Sequence, residues 1–167
     1  PPYAGHALLC FLIKNFQEIM YKIALIGAGQ IGSRHLQALA KIEIPISVEV
    51  VSRTLQSLVK AKERFEKTQG SGFVKSIKYL QTIKSLSSSI DIAIIATNAD
   101  VRRKVIEELI QYKKTRFLLL EKVVFQSIHD FHEIIELLKI NQVKAWVNCP
   151  RRMYTFYLEV KKHLGNG

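Results

Sequence analysis

Short apolar runs alternate with amphipathic helical patterns from residue 20 to residue 149, and this alternation restricts the fold more than any other feature. The predicted strands are residues 21–27, 46–51, 72–75, 91–97, 116–121 and 143–148, and the predicted helices are residues 30–42, 54–67, 77–88, 100–113 and 127–140. Several strands are apolar on successive residues, as expected when helices cover both faces of a parallel sheet. The pattern predicts an α/β fold with a doubly wound, six-stranded parallel sheet and a ligand crevice at the carboxyl ends of the strands.

Three glycines lie at the junction of the first strand and the first helix, in the pattern G-x-G-x-x-G. Gly27 permits a tight turn, Gly29 lets the backbone approach a pyrophosphate, and Gly32 lets the helix pack closely on the strand. Gln30 and Ile31 lie between the last two glycines, where the N–H groups of a helix N-terminus would face the phosphates. In this strand, turn and helix context the motif predicts a dinucleotide-binding (Rossmann) domain; the alternative is a glycine turn that binds nothing.

The end of the second strand predicts which dinucleotide is bound. NAD-preferring sites generally place Asp or Glu there to bind the ribose 2′-OH, whereas this chain has Ser52, Arg53 and Thr54. Arg53 could pair with a 2′-phosphate while the two hydroxyl groups donate hydrogen bonds to it, so NADP is favoured over NAD. Glu49 is the competing acidic residue, but it lies in the middle of the strand. Alternatively, Arg53 is only a solvated residue before the next helix.

Two further strand ends face the same crevice. The fourth strand is followed by Thr97 and Asn98, and the fifth is followed by Glu121 and Lys122. A lysine at this edge could hold or deprotonate a substrate hydroxyl, because a desolvated ammonium changes its pKa readily. The alternative is a surface lysine without a chemical role.

Charge and cysteine content exclude several other classes of protein. The net charge of +11 is spread along the predicted helices, which is typical of solvated faces, so we expect no nucleic-acid partner. Cys10 and Cys149 are far apart and outside any metal-ligand spacing, so neither a disulfide framework nor a zinc site is predicted, and a cytoplasmic location fits best. His129 and His132 are interpreted as part of a solvated helix face, and no metal is expected.

Four segments together resemble a known family: GAGQIGSRHLQAL, DIAIIATNADV, LLLEKVVFQS and VNCPRRMYTFYLEVKKHLG. In order and spacing they are similar to the N-terminal half of the glucose-fructose oxidoreductase/inositol dehydrogenase (Gfo/Idh/MocA) family, over residues 20–164. Glu121 and Lys122 match the first two positions of the family's Glu-Lys-Pro motif. Val123 takes the place of the proline, so the sequence does not itself predict the cis peptide that is usual there.

The resemblance implies roles for individual residues. Lys122 would lie near the nicotinamide and the reacting hydroxyl and act as the catalytic residue. Thr97, Asn98 and Glu121 would line the cofactor. Arg102 takes the place of a histidine usual in the family, and Arg152 matches an arginine that the family often carries after the sixth strand. Both arginines are therefore candidates for contacts with the substrate.

Members of the family carry a second α/β domain that supplies the substrate pocket. We therefore expect residues 20–149 to form the cofactor domain and residues 150–167 to begin a truncated substrate domain. Residues 1–19 are expected to be a non-native or leader segment, because their apolar core is too short to cross a membrane and lacks the basic flank of a signal peptide. A native amphipathic leader helix is the alternative.

The predicted function is that of an NAD(P)-dependent oxidoreductase, transferring hydride to or from a carbinol of a sugar, sugar nucleotide or cyclitol. The chain alone would be its inactive cofactor-binding half. A non-catalytic dinucleotide-binding or assembly module is the alternative. No membrane partner is expected, and a homo-oligomer is left open.

Overall fold

The computed structural model describes residues 20–150 and 154–164. The strands are β1 Tyr21–Ile26, β2 Ile46–Val51, β3 Val74–Leu80, β4 Ser89–Ile95, β5 Lys114–Leu120 and β6 Lys144–Val147. The helices are α1 Gln30–Leu39, α2 Leu55–Glu66, α3 Ala99–Tyr112, α4 Ile128–Ile140 and α5 Thr155–Leu164. Arg152 and the leader segment 1–19 lie outside the described residues. No helix in the described part of the chain is both long enough and apolar enough to cross a membrane.

The six strands form one parallel sheet in the order β3-β2-β1-β4-β5-β6. The predicted doubly wound α/β fold is therefore confirmed. From β1 the chain proceeds outward to β2 and β3, and it then crosses back to β4 and proceeds outward on the other side. The boundary between β1 and β4 is the switch point at which ligands bind in sheets of this kind.

Alternate residues of the central strands are buried in two separate cores. On β1, Ile23 and Leu25 lie in a core with the buried residues of α1 and α2, whereas Ala24 and Ile26 lie in a core with those of α3 and α4. Burying an aliphatic side chain this fully stabilises a fold by roughly 1.5–3 kcal/mol. The two layers therefore hold the carboxyl ends of the strands on a rigid support.

The predicted helix over residues 77–88 is wrong. Residues 76–80 continue β3 and pair in parallel with β2, from Ser47 opposite Ser76 to Val51 opposite Leu80. The spacing of Ile77, Leu80 and Ile83 imitates a helical repeat, but the edge strand gains its stability from pairing with β2, which a local pattern does not reveal. Only a 3-10 turn, Ile83–Ser85, lies between β3 and β4.

Candidate functional site

The sheet ladder continues one residue beyond five of the strands. The backbone N–H groups that extend it donate to neighbouring strands over 2.8–3.2 Å and belong to Gly27, Ser52, Ala96, Glu121 and Asn148. The segments that follow β1, β2, β4, β5 and β6 therefore begin at one edge of the sheet. This is the edge at which the sequence predicts a ligand crevice.

Two of the three motif glycines are required by the protein's own packing. Gly27 has φ +102°, and a Cβ at this residue would lie 2.8 Å from the carbonyl carbon of Ala96. A Cβ at Gly32 would lie 1.8 Å from the carbonyl oxygen of Gly27, which is closer than any real contact. Both residues therefore allow α1 to start immediately beside the ends of β1 and β4.

Gly29 differs from the other two glycines because no described atom lies within 4 Å of a Cβ built on it. It is the N-cap residue of α1, with φ −69°, and Ser33 is the first residue whose N–H donates back into the helix, to Gly29 O at 2.8 Å. No side chain among the described residues caps α1. Its first N–H groups, from Gln30 to Gly32, therefore point out of the helix with no intrahelical partner, next to open space.

The helix after β4 presents a second uncapped N-terminus to this edge. Asn98 is the N-cap residue of α3, and within the described residues its side chain makes no capping bond. By contrast, Thr54 and Ser127 cap α2 and α4 by accepting from the N–H groups of Ser57 and Asp130. Among α1 to α4, the helix N-termini that lack a side-chain cap are thus the two that flank the β1–β4 boundary.

A cleft of about 220 Å³ lies between these helix ends, and six of the predicted site residues line it. They are Ile31, Thr97, Asn98, Arg102, Glu121 and Lys122. Pockets that enclose a whole small ligand usually measure about 300–1,000 Å³, so this cleft suits one end of a longer ligand. The hydroxyl of Thr97 is buried without a hydrogen-bond partner in the described part of the chain.

The carboxylate of Glu121 is held by residues from two other elements. His35 on α1 lies 2.7 Å from Glu121 Oε1, and Asn148 after β6 donates its side-chain N–H to the same oxygen at 2.5 Å. Burial by itself would raise the pKa of Glu121, but the hydrogen bonds from Asn148 and His35 and the nearby imidazole lower it below the ordinary value. Glu121 therefore lines the cleft as an ionised group whose oxygen is directed at protein donors.

Arg102 is buried and does not present its guanidinium to the cleft. It donates to the backbone carbonyls of Thr97, Glu121 and Val123 and, at 2.9 Å, to that of Val124. Burial lowers the pKa of Arg102, and the Glu121 carboxylate opposes this effect. The expectation that Arg102 contacts the substrate does not fit this arrangement, because one terminal nitrogen is bound to carbonyls of the loop after β5 and the other to the carbonyl of Thr97 after β4.

Lys122 lies at the mouth of the cleft with an exposed side chain. Its ammonium group is therefore open to solvent among the described residues. The peptide bond from Lys122 to Val123 is cis, although Val123 stands where the Glu-Lys-Pro motif has proline. The sequence did not predict this cis bond.

After β2, Arg53 is exposed and Ser52 is half-buried. The glycine turn lies beside them, because the N–H of Gly27 donates to Val51 O at 2.9 Å. The oxygen of Thr54 accepts the capping bond from Ser57 N–H, and its hydroxyl proton is donated to Ser57 Oγ at 2.8 Å. The predicted bond from Thr54 to a ligand phosphate would therefore replace the bond to Ser57 Oγ.

Glu49, the acidic residue on β2, takes no part in the edge beside Arg53. It is buried and accepts from the N–H and the hydroxyl of Ser87, both at 2.8 Å. Burial would raise the pKa of Glu49, but these bonds, together with Lys78 at 3.6 Å, lower it. Its carboxylate therefore stays ionised and anchors the loop before β4.

A wider cleft of about 1100 Å³ lies at the opposite edge of the sheet, between the last turns of α3 and α4 and the first residues of β5 and β6. Its lining includes four cations, Lys113, Lys114, Arg116 and Lys144, and none of the predicted site residues. Within residues 20–150 and 154–164, no group of three or more His, Cys, Asp or Glu side chains is placed to hold a metal ion.

Sequence reasoning missed His35 and Asn148 as members of the site. His35 was assigned only to the first helix, yet it follows Gly32 by three residues and therefore lies on the same helix face, against the sheet edge. That spacing was a usable signal. Asn148 ends β6, and nothing local indicates that it meets a residue 27 positions earlier.

The sequence model of the GFO_IDH_MocA family, described as an oxidoreductase family with an NAD-binding Rossmann fold, matches residues 21–149. Among the curated proteins, none matches the chain in sequence.

Several solved structures share the fold. The WlbA dehydrogenase from Bordetella pertussis, in complex with NADH and UDP-GlcNAcA, has a TM-score of 0.71 and 17% identity over 87% of this chain and 42% of its own. Myo-inositol 2-dehydrogenase from Lactobacillus plantarum has a TM-score of 0.68 and 18% identity over 86% of this chain and 40% of its own. A super-repressor mutant of Gal80p from Saccharomyces cerevisiae has a TM-score of 0.70 and 16% identity over 85% of this chain and 38% of its own. The chain thus spans about two fifths of these proteins.

Proposed function

We propose that the chain, which belongs to the Gfo/Idh/MocA oxidoreductase family, is the cofactor-binding half of an enzyme that moves hydride to or from a carbinol carbon. The predicted family membership is confirmed, and the chain is an NAD-binding Rossmann domain of oxidoreductase type. The substrate class we propose is a sugar, sugar nucleotide or cyclitol. It is supported by two proteins with the same fold, a WlbA dehydrogenase in complex with UDP-GlcNAcA and a myo-inositol 2-dehydrogenase.

The start of α1 is the observation that carries this proposal. A side chain at Gly29 would meet no protein atom, so the protein's own packing does not require glycine there. Backbone N–H groups and the positive end of the helix dipole face the same open space, and they favour a phosphate. We assign the pyrophosphate to the turn from Gly29 to Gly32 and the nicotinamide end to the cleft beside Thr97 and Lys122.

The cofactor we propose is NADP in preference to NAD. Arg53 is exposed at the end of β2, where it could pair with a 2′-phosphate, and Ser52 lies beside it. The carboxylate of Glu49, which would repel such a phosphate from the strand end, is buried against Ser87. Thr54 is a weaker candidate for binding this phosphate, because its hydroxyl proton is already donated to Ser57 Oγ.

The chain's residues would bind and orient the reacting groups. A bound nicotinamide would supply the hydride acceptor or donor. Lys122, at the mouth of the cleft, would hold the substrate hydroxyl or take its proton. Lys122 is exposed here, so an additional covering element would have to exclude water and fix the substrate before catalysis.

A non-catalytic dinucleotide-binding or assembly module is the second candidate, and the fold shared with a Gal80p super-repressor mutant supports it. A change in the oligomeric state of the chain on addition of NADPH would favour this candidate over the enzyme. Sedimentation velocity with and without NADPH measures that change directly.

The main experiment separates binding from turnover. Titrating the 167-residue chain with NADPH, followed by cofactor fluorescence, should give a dissociation constant in the micromolar to millimolar range, a bracket on the affinity scale. An absorbance assay over a panel of polyols, sugars and sugar nucleotides should show no turnover. Robust turnover would contradict the proposal that this chain is half of a catalytic site, and a failure to bind either dinucleotide would contradict the assignment of the crevice.

A further inference from the structure

We infer that His35 is a positioning residue, which couples the phosphate-facing helix α1 to the segment that carries Lys122. The inference rests on the proposed function and extends it to a residue that neither the glycine motif nor the Glu-Lys motif includes. It assigns His35 no contact with the cofactor or the substrate. The role is to hold two parts of the crevice at a fixed separation.

The first part of the argument is the contact between His35 and Glu121. The two residues are 86 positions apart in the sequence, yet His35 Nε2 lies 2.7 Å from Glu121 Oε1, and their side chains are only 15% and 13% exposed. An ionised carboxylate can only accept hydrogen bonds, so the Nε2 of His35 carries the proton and donates. A charge-assisted bond with so little solvent exposure is strong and directional.

The second part is the continuation of this contact to Lys122. Glu121 immediately precedes Lys122 in the chain, so a contact that fixes the Glu121 side chain also restrains the backbone at Lys122. Asn148, after β6, donates to the same carboxylate oxygen as His35. His35 therefore ties α1, through Glu121, to the residue next to Lys122.

The third part is the support that the loop receives from α3. Arg102 binds the backbone carbonyls of Glu121 and Val123, the residues immediately before and after Lys122. The backbone of the loop is thus held by α3, while the carboxylate within it is held by α1. These are the two helices whose uncapped N-termini flank the crevice. Removing His35 would free the loop from α1 only.

A specific consequence follows for a ligand that spans the crevice. Its pyrophosphate would be held by the N-terminus of α1 and its nicotinamide by the cleft beside Lys122. Without His35 the two sub-sites would no longer keep a fixed separation. Contacts at the nicotinamide end would weaken, whereas those at the adenosine and pyrophosphate end would remain.

The test compares two ligands on the 167-residue chain. ADP-ribose carries the adenosine and the pyrophosphate but no nicotinamide, whereas NADH carries all three. His35→Leu should lower NADH affinity about ten-fold in calorimetric titrations, as expected for a lost hydrogen bond to a charged group, and should leave ADP-ribose affinity within about two-fold. His35→Gln should recover most of the loss, because its side-chain nitrogen can donate to the same carboxylate oxygen.

The matched control is His129→Leu, which removes an imidazole 3.4 Å from the carboxylate of Glu133 on the exposed face of α4 and should change neither affinity. Equal losses for NADH and ADP-ribose in His35→Leu, an unchanged NADH affinity, or no recovery in His35→Gln would each overturn the positioning role. Equal affinities of the parent chain for the two ligands would also overturn it, since the Lys122 segment would then contribute nothing. If the parent chain bound neither ligand, the proposed function itself would fail.

Discussion

Substituting Gly29 by alanine should weaken dinucleotide binding while leaving the fold nearly unchanged. In the structure the new methyl group would have no protein atom within 4 Å, so it would occupy the space in front of the first turn of α1. A pyrophosphate in that space would be pushed away from the helix N–H groups. Losing one such bond to a charged ligand costs about 1.5–3 kcal/mol, which is roughly a 10- to 150-fold loss of affinity.

The expected cost to stability is small, and it follows from the backbone at this residue. Gly29 has φ −69°, a value that alanine adopts without strain. Alanine is a poorer N-cap residue than glycine by about 1 kcal/mol, and removing a glycine returns about 0.4–1 kcal/mol by restricting the unfolded chain. The melting temperature should therefore change by less than about 4 °C.

Gly27→Ala and Gly32→Ala are the matched controls, because the same methyl group would meet the protein itself. At Gly27 the positive φ and the Ala96 carbonyl carbon 2.8 Å away both oppose it, and at Gly32 the carbonyl oxygen of Gly27 is 1.8 Å away. Strain and overpacking of this kind cost about 1–3 kcal/mol each. These variants should lower the melting temperature by roughly 2–12 °C.

Two measurements test this reasoning together: thermal unfolding followed by circular dichroism, and calorimetric titration with NADPH and NADH. Gly29→Ala should lose affinity with little change in melting temperature, and the two controls should lose stability. The reasoning would be refuted if Gly29→Ala bound both dinucleotides as tightly as the parent chain. It would also be refuted if Gly29→Ala unfolded as early as Gly32→Ala, since the methyl group would then be meeting protein.

Three other substitutions test the neighbouring parts of the site. Arg53→Ala should reduce the preference for NADPH over NADH by about 1–3 kcal/mol in competition titrations, and equal affinities in the parent chain would contradict the choice of cofactor. Arg102→Leu should destabilise the fold by about 2–4 kcal/mol in urea denaturation, because buried loop carbonyls lose a charged donor, and a change below about 0.5 kcal/mol would argue against the clamp. Burial would raise the pKa of Glu121, but hydrogen bonds from Asn148 and His35 lower it below the unfolded pKa near 4.5. The ionised carboxylate therefore stabilises the fold above pH 4.5, and this contribution is lost as the pH falls through the lower folded pKa. Glu121→Gln should therefore reduce the loss of melting temperature on acidification below pH 4.5, whereas an unchanged pH profile would show that the group contributes little.

Local features of the sequence were sufficient for the fold class and for the phosphate-facing turn. Successive apolar residues predict a covered parallel sheet because each strand is buried on both faces, and Gly32 satisfies a steric requirement against Gly27 within the same turn. Six of the predicted site residues line one cleft because strand ends in a parallel sheet meet at one edge. Such predictions need only a short window of sequence.

Tertiary structure alone decided where the remaining polar groups point. Arg102 was expected at the substrate but clamps the loop after β5, and the contact of His35 with Glu121 joins residues 86 positions apart. Ile77 was assigned to a helix, although pairing with β2 makes it part of a strand. In each case the free energy comes from partners distant in sequence, because a buried charge must find donors or acceptors and an edge strand must find a neighbour, and no local periodicity records which partners these are.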